Sequence, residues 1–201
     1  MKLIGSYDPR NDEYITIFKY PTGGGTSETV AFNEIINRWT SFYSFTPEHA
    51  DYIFNKYMGF NNGVMWEHNS SNSYNSFYGT SYDSVVQLTY NATPSLVKSF
   101  IGLMEQSNTV WYAKSNIVSS VETAIKTNLN QTSNLLSTDF AQKEGVWFAS
   151  ILRDSSSPGG IINGDELKGN LIKFRLVNEP TERANLLSVD LRYIPSYQGI
   201  K

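Results

Sequence analysis

Short runs of β-branched and aromatic residues recur along this 201-residue chain, and most are bounded by Gly, Pro, Asn or Asp. Runs of this composition favour strands, and their boundaries favour turns. The clearest case is Asn62-Gly63, between the runs Tyr57–Phe60 and Val64–His68, because an Asn-Gly pair supplies the positive φ angles of a tight hairpin turn. The late run Leu187–Tyr193 alternates apolar and polar residues, as a half-exposed antiparallel strand does.

The sequence therefore predicts a mainly β fold, in which antiparallel hairpins form a sandwich or a barrel-like domain. One α-helix is expected near residues 94–106. Thr93 can cap it, Pro94 suits its first position, and apolar residues then recur at helical spacing.

No internal repeat and no strong linker divides the chain, so a single β-rich domain is predicted over residues 1–201. Within it, residues 1–36 are expected to form opening hairpins and residues 37–91 an aromatic hairpin region. Residues 92–201 are expected to contain the helix and the C-terminal strands.

The low charge of the chain argues against nucleic acid as a general partner. Only 17% of the residues are charged and the net charge is −3, so no positive field gathers phosphates and general nucleic-acid binding is not expected. The absence of Cys excludes disulfides and thiol chemistry. No run approaches the roughly 18 apolar residues of a membrane span, so no span is predicted.

The familiar catalytic motifs are missing. Neither His49 nor His68 has the spacing of a metal site, and no nucleophile elbow is present. The loop Gly23–Ser27 lacks the lysine of a phosphate-binding loop. A glycosidase would need only a suitably separated carboxylate pair, and this enzyme hypothesis ranks third. Its candidate carboxylates are Glu48, Asp51, Glu67, Asp139, Glu144, Asp154, Asp165 and Glu166. We predict no enzyme, no cofactor and no metal.

An aromatic strand is predicted at Trp39–Phe45. Strict alternation places Trp39, Tyr43 and Phe45 on one face and Phe42 on the other. Because both faces carry aromatic residues, we expect both to be covered, either by the same chain or by a neighbouring subunit. These four residues are the predicted burial and interface residues.

A second aromatic group surrounds a stretch rich in Asn and Ser that is expected to be an exposed loop. Its members are Trp66, Tyr74, Phe77 and Tyr78. Aromatic faces stack on sugar rings, so these residues are the candidate platform of an alternative function, a β-sandwich module that recognises glycans on the host surface. Composition alone does not separate such a platform from a core or a subunit interface.

Four stretches, in order along the chain, resemble the large tail proteins of crAss-like phages of gut Bacteroidetes, the muzzle or nozzle proteins that close the distal end of a short tail. One runs from Ala31-Phe32-Asn33-Glu34 to Trp39-Thr40-Ser41-Phe42-Tyr43-Ser44-Phe45-Thr46-Pro47-Glu48, and its part from Trp39 onward is the most specific. The others are Tyr7–Tyr14, Trp66–Asn69 with Phe77–Gly79, and Lys143–Asp154 with Gly164–Gly169.

The resemblance implies a structural protein of the virion tail tip, with assembly in the cytoplasm of the bacterial host. It further implies a homo-oligomer in a ring of sixfold symmetry, other tail subunits as partners, and no catalytic residues. Proteins of this family are much longer, so the chain resembles their C-terminal portion or a trimmed relative.

Overall fold

The computed structural model describes residues 1–114, 124–155, 164–179 and 182–196. Over these residues the chain consists of strands joined by turns and loops, with a short 3-10 turn at Ser137–Asp139. The strand pairs are antiparallel, and no sheet in the described part of the chain closes on itself. The mainly β prediction is confirmed. The chain divides into two compact units, Met1–Tyr82 and Asp83–Lys201, and the single domain stays a prediction.

The first unit is a series of hairpins. A four-stranded sheet contains, in spatial order, β1 (Lys2–Asp8), β2 (Glu13–Lys19), β3 (Glu28–Asn33) and β4 (Arg38–Tyr43). A three-stranded sheet contains β5 (His49–Ile53), β6 (Lys56–Asn61) and β7 (Val64–Glu67), and a small hairpin contains β8 (Ser76–Phe77) and β9 (Thr80–Ser81). Asn62 and Gly63 join β6 to β7 with φ angles of 52° and 72°, which confirms the predicted turn.

The core of the first unit lies against one face of the four-stranded sheet. Alternate residues of each strand point inward, as the period of a strand requires. The buried apolar residues are Ile4, Ile15, Ile17, Ala31, Phe45, Ala50 and Tyr57. The opposite face of the same sheet carries exposed side chains, which are described below.

The second unit contains two larger sheets. One has the order β10 (Ser84–Tyr90), β17 (Ile172–Asn178), β12 (Ile125–Thr127) and β13 (Thr132–Ser133). The other is centred on β11 (Lys98–Ser107), with β18 (Leu186–Pro195) along one edge, β15 (Val146–Ser150) and β16 (Lys168–Gly169) along the other, and β14 (Ala141–Lys143) outside β15. Residues of both sheets, including Leu103 and Phe174, pack in one hydrophobic core.

The predicted helix at residues 94–106 is wrong, because most of this segment is the central strand β11. Thr93 takes a left-handed φ of 51° and its carbonyl closes a turn with the amide of Leu96, so it does not cap a helix. The strand is paired along both edges, which satisfies its backbone groups, and most of its residues are buried on both faces. A strand that is buried on both faces does not alternate apolar and polar residues. The spacing of its apolar residues can therefore also fit the period of a helix.

Two ionisable side chains, Lys98 and Glu105, are fully buried in β11. The Lys98 ammonium group donates to the carbonyl oxygens of Thr93, Leu96 and Asn170 at 3.1, 3.2 and 2.6 Å. These three hydrogen bonds connect the preceding turn and the loop before β17 to the strand. The carboxyl of Glu105 accepts from the amide of Trp111 at 3.1 and 3.3 Å, and burial raises its pKa to about 8.

Candidate functional site

The outer face of the four-stranded sheet carries many aromatic and apolar side chains, with Thr16 and Glu28 on the same face. On this face, side chains of neighbouring strands lie opposite each other. The pairs are Leu3 with Phe18, Tyr14 with Phe32, and Val30 with Phe42. We define the aromatic face as Leu3, Tyr7, Tyr14, Phe18, Val30, Phe32, Trp39 and Phe42. None of these side chains carries a formal charge, and Trp39 and Phe42 are 64% and 80% exposed.

A β-bulge determines which aromatic residues of β4 face outward. Ala31 pairs with Ser41 and Phe32 pairs with Trp39, so Thr40 is an extra residue in β4. The extra residue turns Trp39 to the same side as Phe42, where its ring contacts Phe32 edge-on at 5.4 Å. Strict alternation, which placed Trp39 with Tyr43, is therefore wrong at this position.

Tyr43 and Phe45 point to the inner side. Phe45 is 3% exposed and its ring stacks on Tyr43 with the centroids 5.0 Å apart. The Tyr43 hydroxyl donates to Glu13 Oε2 at 2.7 Å, and burial with this carboxylate raises the pKa of Tyr43. The structure thus separates the four predicted interface residues into an internal pair and an exposed pair, Trp39 with Phe42.

The second aromatic group lines one cleft of the first unit. The cleft has a volume of about 370 Å³, and Trp66, Tyr74, Phe77 and Tyr78 all line it. Trp66 and Tyr74 are 37% and 45% exposed, whereas Phe77 and Tyr78 are half-buried. The sequence grouped these residues by proximity along the chain, and the hairpin β8–β9 brings them to one place.

His68 forms the base of the cleft, a role that sequence reasoning did not assign to it. Its Nε2 lies 3.0 Å from the Tyr78 hydroxyl, and its ring contacts Phe45, Tyr57 and Tyr78 edge-on. Burial lowers the pKa of His68 to about 4, although the Asp8 carboxylate opposes this shift. At neutral pH the imidazole is therefore uncharged. The only indication in the sequence was its position among aromatic residues.

A second cavity of about 350 Å³ adjoins the cleft, since His68, Asn69 and Phe77 line both. Its other walls carry two buried carboxylates, Asp8 and Glu13. Asp8 accepts from the Arg10 amide and the Asn11 side chain, while Glu13 accepts from the Thr40 and Tyr43 hydroxyls. Both carboxylates are thus held in fixed positions by neutral donors.

Across the described residues, no group of three or more His, Asp or Glu residues is arranged to hold a metal ion. His49 is exposed on β5 and lies apart from His68 in the cleft. No helix within the described ranges has the length and apolar character needed to cross a membrane.

The fold defines a β-rich protein built from antiparallel hairpins. Residues 72–154 match the family model described as the Crassvirus muzzle protein C-terminal domain. This match over part of the chain confirms the resemblance to the muzzle proteins of crAss-like phages that was seen in the sequence. No curated protein matches the chain.

The matched segment includes β8 to β15 and parts of both units. Parts of two of the four stretches that carried the resemblance, Phe77–Gly79 and Lys143–Asp154, lie inside it. The stretch Trp39–Glu48 lies outside it, so its likeness to the family rests on the sequence pattern alone.

Proposed function

We propose that the protein is a subunit or domain of the phage tail tip that works through self-association and contacts with other tail proteins. The single observation that carries this proposal is the aromatic face, on which Trp39 and Phe42 are mostly exposed. The match to a muzzle domain supports a role in the virion tail.

The aromatic face has the chemistry of a protein interface. Interface centres are enriched in Trp, Tyr and Phe and depleted of charge, and contiguous exposed apolar patches mark interaction sites. At about 25 cal/mol per Å², burying the exposed parts of Trp39 and Phe42 would contribute roughly 5–8 kcal/mol before the entropic costs of association. A partner with a complementary apolar surface is therefore required.

The proposal also includes the oligomeric state of the protein, the place where it assembles and its final location. The protein forms a homo-oligomeric ring of sixfold symmetry, assembles in the bacterial cytoplasm and resides in the virion tail. In a cyclic ring, each aromatic face would contact a different surface of the next subunit, because ring contacts are head-to-tail. The protein has no enzymatic activity in this proposal.

Sedimentation velocity over a range of protein concentrations tests the proposal. The double variant Trp39→Ser/Phe42→Ser should remain folded and lose at least about tenfold in association affinity, since both anchors are removed. The matched control is Phe54→Ser, because Phe54 is 94% exposed in the β5–β6 turn and lies off the aromatic face. Equal association of the wild type and the double variant would contradict the proposal.

A further inference from the structure

We infer that the cleft over His68 is a binding site for a neutral saccharide, separate from the aromatic face. Its volume of about 370 Å³ lies within the usual range of small-molecule sites, roughly 300–1,000 Å³. Sites of this kind combine apolar walls with a few fixed polar groups, and the walls and rim of this cleft have that composition.

Two aromatic rings offer stacking surfaces. Trp66 contacts Tyr78 edge-on at 5.8 Å, which fixes its orientation and leaves 37% of the residue exposed. Tyr74 is 45% exposed on the same cleft. The C–H groups on one face of a sugar ring carry partial positive charge, so they pack favourably on the electron-rich face of an aromatic ring.

The rim of the cleft is polar and locally ordered. Asn69 and Asn75 both adopt left-handed φ angles, 57° and 54°, and both line the cleft. The Ser70 hydroxyl donates to the Glu67 carbonyl, and the Tyr82 amide donates to the Asn75 carbonyl at 2.7 Å. Amide and hydroxyl side chains on such a rim both donate and accept, as sugar hydroxyl groups require.

The adjoining cavity extends the site beyond one sugar ring. Among the described residues, each carboxylate oxygen of Asp8 and Glu13 accepts one hydrogen bond, and a carboxylate oxygen has a second lone pair that can accept from a sugar hydroxyl. Their negative charge disfavours anionic sugars. Arg10 also lines this cavity, and its side chain is exposed. In the first cleft, the carboxylate of Glu67 forms an ion pair with the ammonium group of Lys56 at 2.6 Å.

Saturation-transfer NMR with defined oligosaccharides tests the inference. The probes are cellotetraose, triacetylchitotriose and maltotetraose as neutral ligands, and trigalacturonate as an anionic ligand of similar length. At least one neutral probe should bind the full chain with a Kd on the order of 1 mM or tighter, and trigalacturonate should bind at least about tenfold more weakly.

Three variants assign the binding to the cleft. Trp66→Ala and Tyr74→Ala should each weaken binding of the neutral probe at least about tenfold, whereas Trp39→Ala, on the aromatic face, should leave it unchanged. Circular dichroism confirms that each variant is folded. The inference is overturned if no neutral probe binds, if trigalacturonate binds equally well, or if both cleft variants bind like the wild type. Trp39→Ala also separates this site from the assembly proposal.

Discussion

The hydroxyl of Tyr78 and the Nε2 atom of His68 lie 3.0 Å apart, and both lie directly over the α-carbon of Gly59 in β6. A β-carbon at Gly59 would lie 2.6 Å from the hydroxyl and 2.7 Å from Nε2. Such distances are too short for non-bonded contact. The absence of a side chain at Gly59 is therefore what allows the hydrogen-bonded pair to form the base of the cleft.

Substituting this glycine should disrupt the cleft. We expect Gly59→Ala to destabilise the protein by about 1–3 kcal/mol, because the pair must move in a packed environment. The matched control is Gly5→Ala in β1, where a β-carbon would meet nothing within 4 Å, and it should be nearly neutral. Urea unfolding measures both changes. A Gly59→Ala variant as stable as Gly5→Ala would show that the pair does not depend on this contact.

The stability of the first unit should fall in acid because of His68. The folded state keeps His68 neutral down to a pKa of about 4, whereas an unfolded chain protonates histidine near pH 6.5. The unfolded state therefore binds more protons between these values, and about 2–3 kcal/mol of stability should be lost as the pH falls from 6.5 to 4. Urea unfolding at several pH values measures this loss. His68→Gln should reduce it, while His49→Gln should not.

The buried carboxyl of Glu105 should have the opposite effect. Its pKa is about 8 in the folded state and near 4.3 in an unfolded chain, so the folded state binds the additional proton. Stability should therefore fall as the pH rises from about 4.5 to 8, by several kcal/mol. Glu105→Gln should remove most of this dependence, and the exposed Glu166→Gln should leave it in place. A pH profile unchanged by Glu105→Gln would contradict the assignment.

The buried ammonium group of Lys98 should be essential to the second unit. Lys98→Met fills a similar volume but leaves the carbonyl oxygens of Thr93, Leu96 and Asn170 without this donor. We expect a loss of about 2–4 kcal/mol in the free energy of unfolding. Lys173→Met, at an exposed position of β17, is the control. If the two variants were equally stable, the three hydrogen bonds would contribute little.

Local turn chemistry made much of the fold predictable. The Asn62-Gly63 turn and the strands on either side of it followed from the sequence, because only a few residue types adopt positive φ angles at no cost. The alternating strand near Leu187–Tyr193 was predictable for a similar reason, since one of its faces is exposed. The sequence thus predicted the features that depend on residues close to each other in the chain.

The sequence did not predict the features that depend on contacts between segments far apart in the chain. The strand β11 has partners from three later segments of the chain, and its burial on both faces conceals the period of a strand. The bulge at Thr40 shifts Trp39 to the outer face, and a single extra residue has no signal in the sequence. The carboxylates Asp8 and Glu13 join the cleft region only because the four-stranded sheet packs with the three-stranded sheet and the β8–β9 hairpin in the first unit.

Cryo-electron microscopy of the intact virion tail is the most direct test of the central claim, that the protein builds the tail tip through its aromatic face. We expect density for this chain at the distal end of the tail, with Trp39 and Phe42 buried against a neighbouring subunit. An assembled tail in which both side chains remain in solvent, or which lacks this chain, would contradict the account.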